Sequence, residues 1–421
     1  VKILVSAFAC SPLWGSEPSV GWNWAWELAH GHEVTVLTHE HFRSHIEAHM
    51  QALPAATPQT DRLCFVYLSC RPARGEFHEQ LLNSQAYYLR WQRAARQRVL
   101  QLLAAQGQAL VHHVTWGNFR WPVPLHGLPV PLVVGPLGGG ERAPHALYRD
   151  MPWKLRLKEV LRDLIIASGR YDPFVARGLA GARWVFCRTP QTLQALPPAA
   201  RSRACIVHDI GAPPPAPAGT VLPVAARPDG PLRCLFVGRL LAWKGAHFAL
   251  RAVQLLRSRG VPVQLTLVGR GEAEAALRDL AARLQLGDAV QWMQDLPREA
   301  VLRLYGEHDL FLFPSLHDSG GTVVLESLSR GCPVVCLDLG GPPHFVDESC
   351  GRVVPAADGA AAAVPVRLAD ALQGLAADPA LRLRLRQGAL AQAQRHSWPL
   401  RVRQAYAPVL QALAAEQGIA A

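Results

Sequence analysis

The nine cysteines of this 421-residue sequence are scattered, odd in number and without a CxxC pair. That argues against a disulfide framework and points to buried thiols in a reducing compartment. No apolar run reaches the ~20 residues of a membrane-spanning helix. The apolar start, Val1–Cys10, is too short for a signal or lipoprotein segment and reads as a first buried strand. No motif recurs at a solenoid period. There is no HExxH and no paired Cys/His spacing, so no metal site is expected. Acidic residues are comparatively few, 32 Asp and Glu against 43 Lys and Arg, for a formal net charge of +11. Up to Asp209 there are 22 Lys and Arg against 14 Asp and Glu, so +8 of that charge lies in the first half. An anionic partner is expected there: a membrane surface or a phosphorylated acceptor. Nucleic acid is disfavoured, because no aromatic–basic recognition motif accompanies the charge.

What is present is an alternation of buried-strand and helix patterns. Lys2–Ser6, a turn-rich loop over 10–21, a helix with Trp22, Ala25, Trp26 and Ala29 on one face, and the strand Glu33–Thr38 make a βαβ unit, and hence a parallel sheet. Further strands are expected at 63–68, 110–115, 131–135, 185–188 and 205–207. Helices are expected over 87–105 and 153–166. The second helix sets Trp153, Leu157, Leu161 and Leu164 near one side and Lys154, Lys158 and Arg162 near another. It suits either an anionic lipid interface or packing on its own domain. A Pro-rich stretch, 211–230, marks a linker. A second series follows, with strands at 232–238, 263–268, 289–293, 310–313, 334–337 and 352–354. One long helix is expected over 370–394 and a last over 398–416. The expected fold class is α/β, with two Rossmann-like doubly wound parallel-sheet domains facing across a cleft.

The chemistry is expected around 315–335. Asp318 precedes a helix and Glu326 lies about one turn inside it. Between them Gly320 and Gly321, followed by Thr322, leave the first-turn amides open to a ligand oxygen. Free amides flanked by carboxylates suit a phosphate between two polyols, as in a nucleotide-sugar. The plain alternative is a capping Asp and a Glu on a solvated face. Gly238-Arg239 and Lys244 follow the first strand of the second domain, at the ligand edge of its sheet. A guanidinium and an ammonium there can neutralise a departing diphosphate. Gly269-Arg270-Gly271 begins a dinucleotide-like turn, but Glu274 stands where the third glycine would be. His112 and His113 end a strand, and alternation turns one of them toward the cleft. Gly139, Gly140 and Glu141 form a loop that can approach a ligand, with Glu141 a candidate for an acceptor hydroxyl.

The Gly238-Arg239 to Lys244 element and the Asp318 to Glu326 pair together resemble the retaining glycosyltransferases of family 4 (glycosyl transferases group 1), which have the GT-B fold. The resemblance covers nearly the whole chain and is strongest over 231–345. It implies an N-terminal acceptor-binding domain (1–210), a linker (211–230), a nucleotide-sugar-binding domain (231–396) and a C-terminal helix (397–421) returning to the first domain. It implies that Asp318 faces the donor hexose and Glu326 the ribose. Gly238, Gly269, Arg270, Gly320, Gly321 and Thr322 would line the donor, and His113, with His112 close behind, would contact the hexose. Asp318 departs from the commoner Glu, which bears on donor identity. Gly15, Ser16 and Glu17 match a loop that faces the diphosphate in such enzymes. A carboxylate there would repel the diphosphate, so Glu17 is assigned to the acceptor or to structure.

The resulting expectation is metal-independent transfer of a hexose, with retention, from a UDP- or GDP-sugar co-substrate. No cofactor is expected. The acceptor would be a saccharide or lipid-linked hydroxyl in bacterial exopolysaccharide or lipopolysaccharide synthesis. The place would be the cytoplasm or the inner face of its membrane, with peripheral contact to anionic lipid. A nucleotide-sugar epimerase of the same fold, or a two-Rossmann oxidoreductase, are the alternatives.

Overall fold

The computed structural model describes residues 1–72, 76–121, 123–214 and 230–416. Most of the expected linker, 215–229, lies outside the described residues. The chain forms two compact units. The first takes Val1–Gly140, Ile165–Ile210 and the chain from Trp398 onward, and the second takes Glu141–Leu164 and Gly211–Ser397. Glu141–Leu164, read from sequence as part of the first domain, thus clusters with the second sheet.

The first unit holds β1 (Lys2–Ala7), β2 (Glu33–His39), β3 (Leu63–Leu68), β4 (Leu110–Thr115), β5 (Leu132–Leu137), β6 (Trp184–Cys187) and β7 (Ala204–Ile206). Their order is β3-β2-β1-β4-β5-β6-β7, and every pairing is parallel. The second holds β8 (Leu232–Val237), β9 (Val263–Val268), β10 (Val290–Met293), β11 (Leu310–Phe313), β12 (Val334–Leu337) and β13 (Gly351–Val354). Their order is β10-β9-β8-β11-β12-β13, again all parallel. The central strands are continuous apolar runs because helices cover both faces of a parallel sheet. Ile3, Leu4, Val5, Cys234, Leu235 and Phe236 are fully buried. In each sheet the winding reverses once, between β1 and β4 and between β8 and β11. Open α/β sheets bind ligands at the carboxyl ends of the strands beside such a reversal.

The expected helix over 370–394 is in fact two, Ala363–Ala377 and Pro379–Arg395. The break is at Asp378-Pro379. Proline disfavours helical backbone in the residue before it, and the Asp378 carboxylate accepts the Leu381 N–H at 2.8 Å as the cap of the second helix. The Ala-, Leu- and Arg-rich composition runs through the break and hides it. Helices Arg43–Ala52 and Pro173–Ala180 were not anticipated. The second is set by Asp172, whose side chain accepts the Phe174 N–H at 2.8 Å, with proline in the first turn. The nine cysteines are all free, but they are not all buried. Cys64 and Cys205 are exposed, because β3 and β7 are the edge strands of the first sheet.

The last helix, Trp398–Glu416, packs in the first unit. Tyr406 there shares a 2.7 Å hydrogen bond with His112 Nδ1. Trp24 meets the same imidazole edge-on at 5.3 Å.

Candidate functional site

The second unit places the expected donor residues at the reversal between β8 and β11. Gly238 and Arg239 follow β8 directly. Arg239 is exposed and has no hydrogen-bond or ion-pair partner among the described residues. Lys244 ends a short turn, Ala242–Lys244, and Gly245 then starts the helix Ala246–Ser258 with φ 75°. A Cβ on Gly245 would lie 1.9 Å from the Pro314 carbonyl oxygen, so only glycine lets the turn close against the end of β11. The Lys244 ammonium lies over the Trp243 ring at 4.5 Å and the Phe313 ring at 5.1 Å. Each aromatic face holds a cation there electrostatically.

Asp318 does not stand free. Its Oδ2 accepts from Lys244 Nζ at 2.5 Å and from the Ser315 hydroxyl at 2.9 Å. The Lys244 and Asp318 side chains are 14% and 16% exposed, so the pair is only partly screened by solvent. Oδ1 makes no hydrogen bond to a described residue and can accept from a sugar hydroxyl. The loop is held from two further sides. Leu316 donates its N–H to the Trp243 carbonyl at 2.9 Å. The next residue, His317, stacks on Trp243 at 4.4 Å and puts Nε2 3.1 Å from Glu159 Oε2. That contact is an ion pair when the imidazole is protonated. Burial raises the Glu159 carboxyl, but His317, Arg162 and Lys158 outweigh it and hold it below the ordinary range.

Gly321, at φ 73°, starts the helix Thr322–Ser329, and no side chain caps it. Val324 donates its N–H to the Gly321 carbonyl at 2.8 Å, while the Thr322 and Val323 amides make no hydrogen bond among the described residues, and with the helix dipole they attract an anion. Glu326, one turn on, is largely buried, with its side chain 12% exposed. Burial pushes its carboxyl above the ordinary range, and Arg298, 3.3 Å from Oε1, offsets this only in part. A carboxylate held in such surroundings is a candidate for a functional position.

Other expected donor residues are placed differently. Arg270 turns outward to an ion pair with Asp295, both more than half exposed. Gly269 continues the sheet hydrogen bonding by donating its N–H to the Met293 carbonyl at 3.0 Å.

In the first unit, neither histidine reaches a ligand edge. His112 is fully buried, with Nε2 on the Gly135 carbonyl at 2.8 Å and Nδ1 on Tyr406. Burial lowers it to about 3. His113 is 2% exposed, between the Tyr88 hydroxyl at 3.3 Å and the Ser6 hydroxyl at 3.4 Å, and burial lowers it to about 4. Alternation does turn them to opposite faces, but both faces of a parallel sheet are covered. The strand end, at Trp116, is what reaches the edge. Gly140 donates its N–H to the Thr192 hydroxyl at 3.1 Å, and Gly139 lies beside the Asn118 side chain. Glu141 is 1% exposed, which does not suit a residue that receives an acceptor. Gly15, Ser16 and Glu17 open the helix Glu17–Leu28, and Glu17 Oε1 accepts from Arg188 at 2.8 Å. Sequence reasoning missed Glu159, Arg298 and Arg188. Each meets its partner across a long stretch of chain, and no local pattern announces that.

Residues 222–391 match the family described as Glycosyl transferases group 1. The chain carries a glycosyl transferases group 1 domain. That domain includes Arg239, Lys244, Asp318 and Glu326. The amylovoran biosynthesis glycosyltransferase AmsK of Erwinia amylovora is 33% identical over 148 residues, 33% of this chain and 36% of the relative. A D-inositol 3-phosphate glycosyltransferase of Acidothermus cellulolyticus is 36% identical over 174 residues, 39% of this chain and 37% of the relative. The chain spans about two fifths of the length of the curated relatives it matches. The fold likeness extends well beyond the group 1 domain. Sucrose-phosphate synthase from Thermosynechococcus elongatus superposes with a TM-score of 0.63 at 19% identity, covering 98% of this chain and 99% of that one. The Anabaena protein HepE in complex with UDP and glucose gives 0.58 at 16% identity, over 97% and 99%. The two parallel sheets are those of the GT-B fold.

Proposed function

We propose that the chain is a retaining glycosyltransferase that moves a hexose from a nucleoside diphosphate sugar to an acceptor hydroxyl. The observation that carries this is the uncapped helix start at Gly321, with Asp318 before it, Glu326 a turn inside it, and Lys244 bonded to Asp318. The helix amides and two cations face the diphosphate, Asp318 Oδ1 takes a hexose hydroxyl and Glu326 takes the ribose. The bond from the anomeric carbon to the phosphate oxygen breaks, and its electron pair stays on the leaving phosphate. The acceptor oxygen bonds the same face of the anomeric carbon, and its proton passes to the phosphate. Arg239 and Lys244 compensate the charge that develops, which is the largest kind of contribution a preorganised site makes. The first unit is assigned to the acceptor and the second to the donor.

HepE was solved with UDP and glucose, so UDP-sugars head the list to test, with GDP-sugars second. The test is a thermal-shift screen followed by a transfer assay. A donor present at a hundredfold its Kd adds about 2.7 kcal/mol of stability. Transfer is expected to persist in EDTA, because Arg239 and Lys244 occupy the role of a diphosphate-bound metal. Activity lost on chelation and restored by Mg²⁺ or Mn²⁺ would overturn that assignment.

The acceptor is assigned to the exopolysaccharide or lipopolysaccharide class, in line with the amylovoran relative, and presented at an anionic membrane. Trp153, Leu157, Leu161 and Leu164 are 68%, 50%, 50% and 62% exposed, a continuous apolar row on one helix. Lys154, Arg156 and Lys158 are exposed on the same helix. An apolar row edged with cations lies in an anionic lipid interface. No helix among the described residues is long and apolar enough to cross a membrane. The protein is expected to float with phosphatidylglycerol vesicles at low salt and much less at high salt. Leu157→Ser with Leu161→Ser should abolish flotation, and flotation indifferent to salt and to these changes would refute the contact.

A further inference from the structure

The first unit contains a cavity of about 510 Å³. It opens at the reversal between β1 and β4, where Phe8 follows one strand and Trp116 the other. Trp14, Trp116 and Trp121 line it, with Phe8 as a buried floor. The rings are fixed rather than loose. Trp116 stacks on Tyr88 at 5.0 Å and 18° and meets Phe8 edge-on at 5.5 Å. Trp121 meets Tyr88 edge-on at 5.5 Å, and Trp14 meets Phe42 edge-on at 5.7 Å.

Among the described residues, the charged groups on the lining are the carboxylates of Glu17 and Glu79. Glu17 Oε1 is taken by Arg188, whose Nε also lies 3.0 Å from Asp209. Glu17 Oε2 is buried without a hydrogen-bond partner among the described residues. The helix that begins at Glu17 could attract phosphate through its first amides. However, its first turn carries the Glu17 carboxylate, and Pro18 brings no N–H there.

Resting on the transferase reading above, we infer that this cavity binds an uncharged pyranose unit of the acceptor and discriminates against a phosphorylated one. A pyranose has an apolar face of C–H bonds that stacks on an indole, and a rim of hydroxyls that can donate to the Glu79 carboxylate. A phosphate in the same place would meet the Glu79 carboxylate and a Glu17 carboxylate whose neighbouring guanidinium, Arg188, is already shared between Glu17 and Asp209.

The test is saturation-transfer NMR on the full chain. The probes are methyl α-D-glucopyranoside, methyl α-D-mannopyranoside and methyl β-D-galactopyranoside, each beside the 6-phosphate of its parent sugar, with UDP as a separate ligand. At least one neutral glycoside should receive saturation, strongest on its ring C–H protons, and bind about tenfold tighter than the phosphate. Trp116→Ala should weaken it by about tenfold, and Trp116→Phe, which keeps a ring, by less. Glu17→Gln keeps an oxygen for Arg188 but removes the charge, so it should narrow the gap between neutral sugar and phosphate. UDP saturation should be unchanged in all three variants. The inference is overturned if no neutral glycoside receives saturation, if the 6-phosphates receive as much, or if Trp116→Ala and Glu17→Gln leave the pattern as it was. Loss of UDP saturation in the wild type would instead overturn the transferase reading and leave the sugar result standing.

Discussion

Lys244→Ala should lower kcat by about a hundredfold or more at saturating donor, and by more than Arg239→Ala does. Both substitutions remove a cation from a leaving group that gains negative charge. Their surroundings make them unequal. Arg239 is exposed and unpaired among the described residues, so its loss removes one charge and nothing else. Lys244 neutralises Asp318 at 2.5 Å, so its loss also leaves a carboxylate unopposed beside the diphosphate. The double variant Lys244→Ala/Asp318→Ala should therefore bind UDP better than Lys244→Ala alone, a coupling expected only of residues in contact. Arg239→Ala should keep the wild-type Tm. Single-turnover rates at saturating UDP-sugar, with UDP calorimetry on the wild type, Arg239→Ala, Lys244→Ala, Asp318→Ala and the double variant, check all of this. Equal kcat in the wild type and both single variants would remove the two cations from the mechanism.

The second large effect separates the two acids. Glu326→Ala should weaken the sugar donor and bare UDP alike, by about tenfold or more, since a hydrogen bond to a charged group contributes ~1.5–3 kcal/mol. Asp318→Ala should weaken the sugar donor but spare UDP, which has no hexose. It could only help UDP, because it releases the Lys244 ammonium. Glu326 also has a pH signature. Its folded-state carboxyl is raised by burial, so the stability tied to its protonation is present in acid and lost as pH rises through the raised value. Near neutrality the buried charge is a burden on the empty fold. Glu326→Gln should therefore have a Tm at or above the wild type while binding UDP less well. Wild-type UDP affinity should fall on acidification, starting above the ordinary carboxylate range, and the Gln variant should lack that fall. Calorimetry with both ligands from acid to neutral pH decides. Equal losses of donor and UDP in Asp318→Ala would end the assignment of the two acids to opposite ends of the donor.

The strands and most helices were legible because continuous apolar runs and helical spacing report burial directly. The placement of Arg239, Lys244, Asp318 and Glu326 near one sheet reversal followed from their position just after strand ends. Depth was not legible. Alternation assigned His112 and His113 to opposite faces without revealing that Tyr406 and Tyr88 cover those faces. Partnership was not legible either. Nothing local to Asp318 indicates that Lys244 and Ser315 hold its Oδ2, or that His317 beside it reaches Glu159. The Asp378-Pro379 break is a single-residue signal inside a stretch of uniform Ala-, Leu- and Arg-rich composition.

The docking of Tyr406 against His112 and Trp24 makes Gly211–Ser397, the larger piece of the second unit, an insertion in the first. A growing chain completes β1 to β7 long before residue 406 is made. Until then the imidazole of His112 lacks its Nδ1 partner, and Trp24 lacks part of its cover. The first unit waits, with its sheet strands made but this face open, while Gly211–Ser397, the larger piece of the second unit, is synthesised. The order of folding is thus inverted with respect to the order of the chain: the later half can close first, and the earlier half closes last.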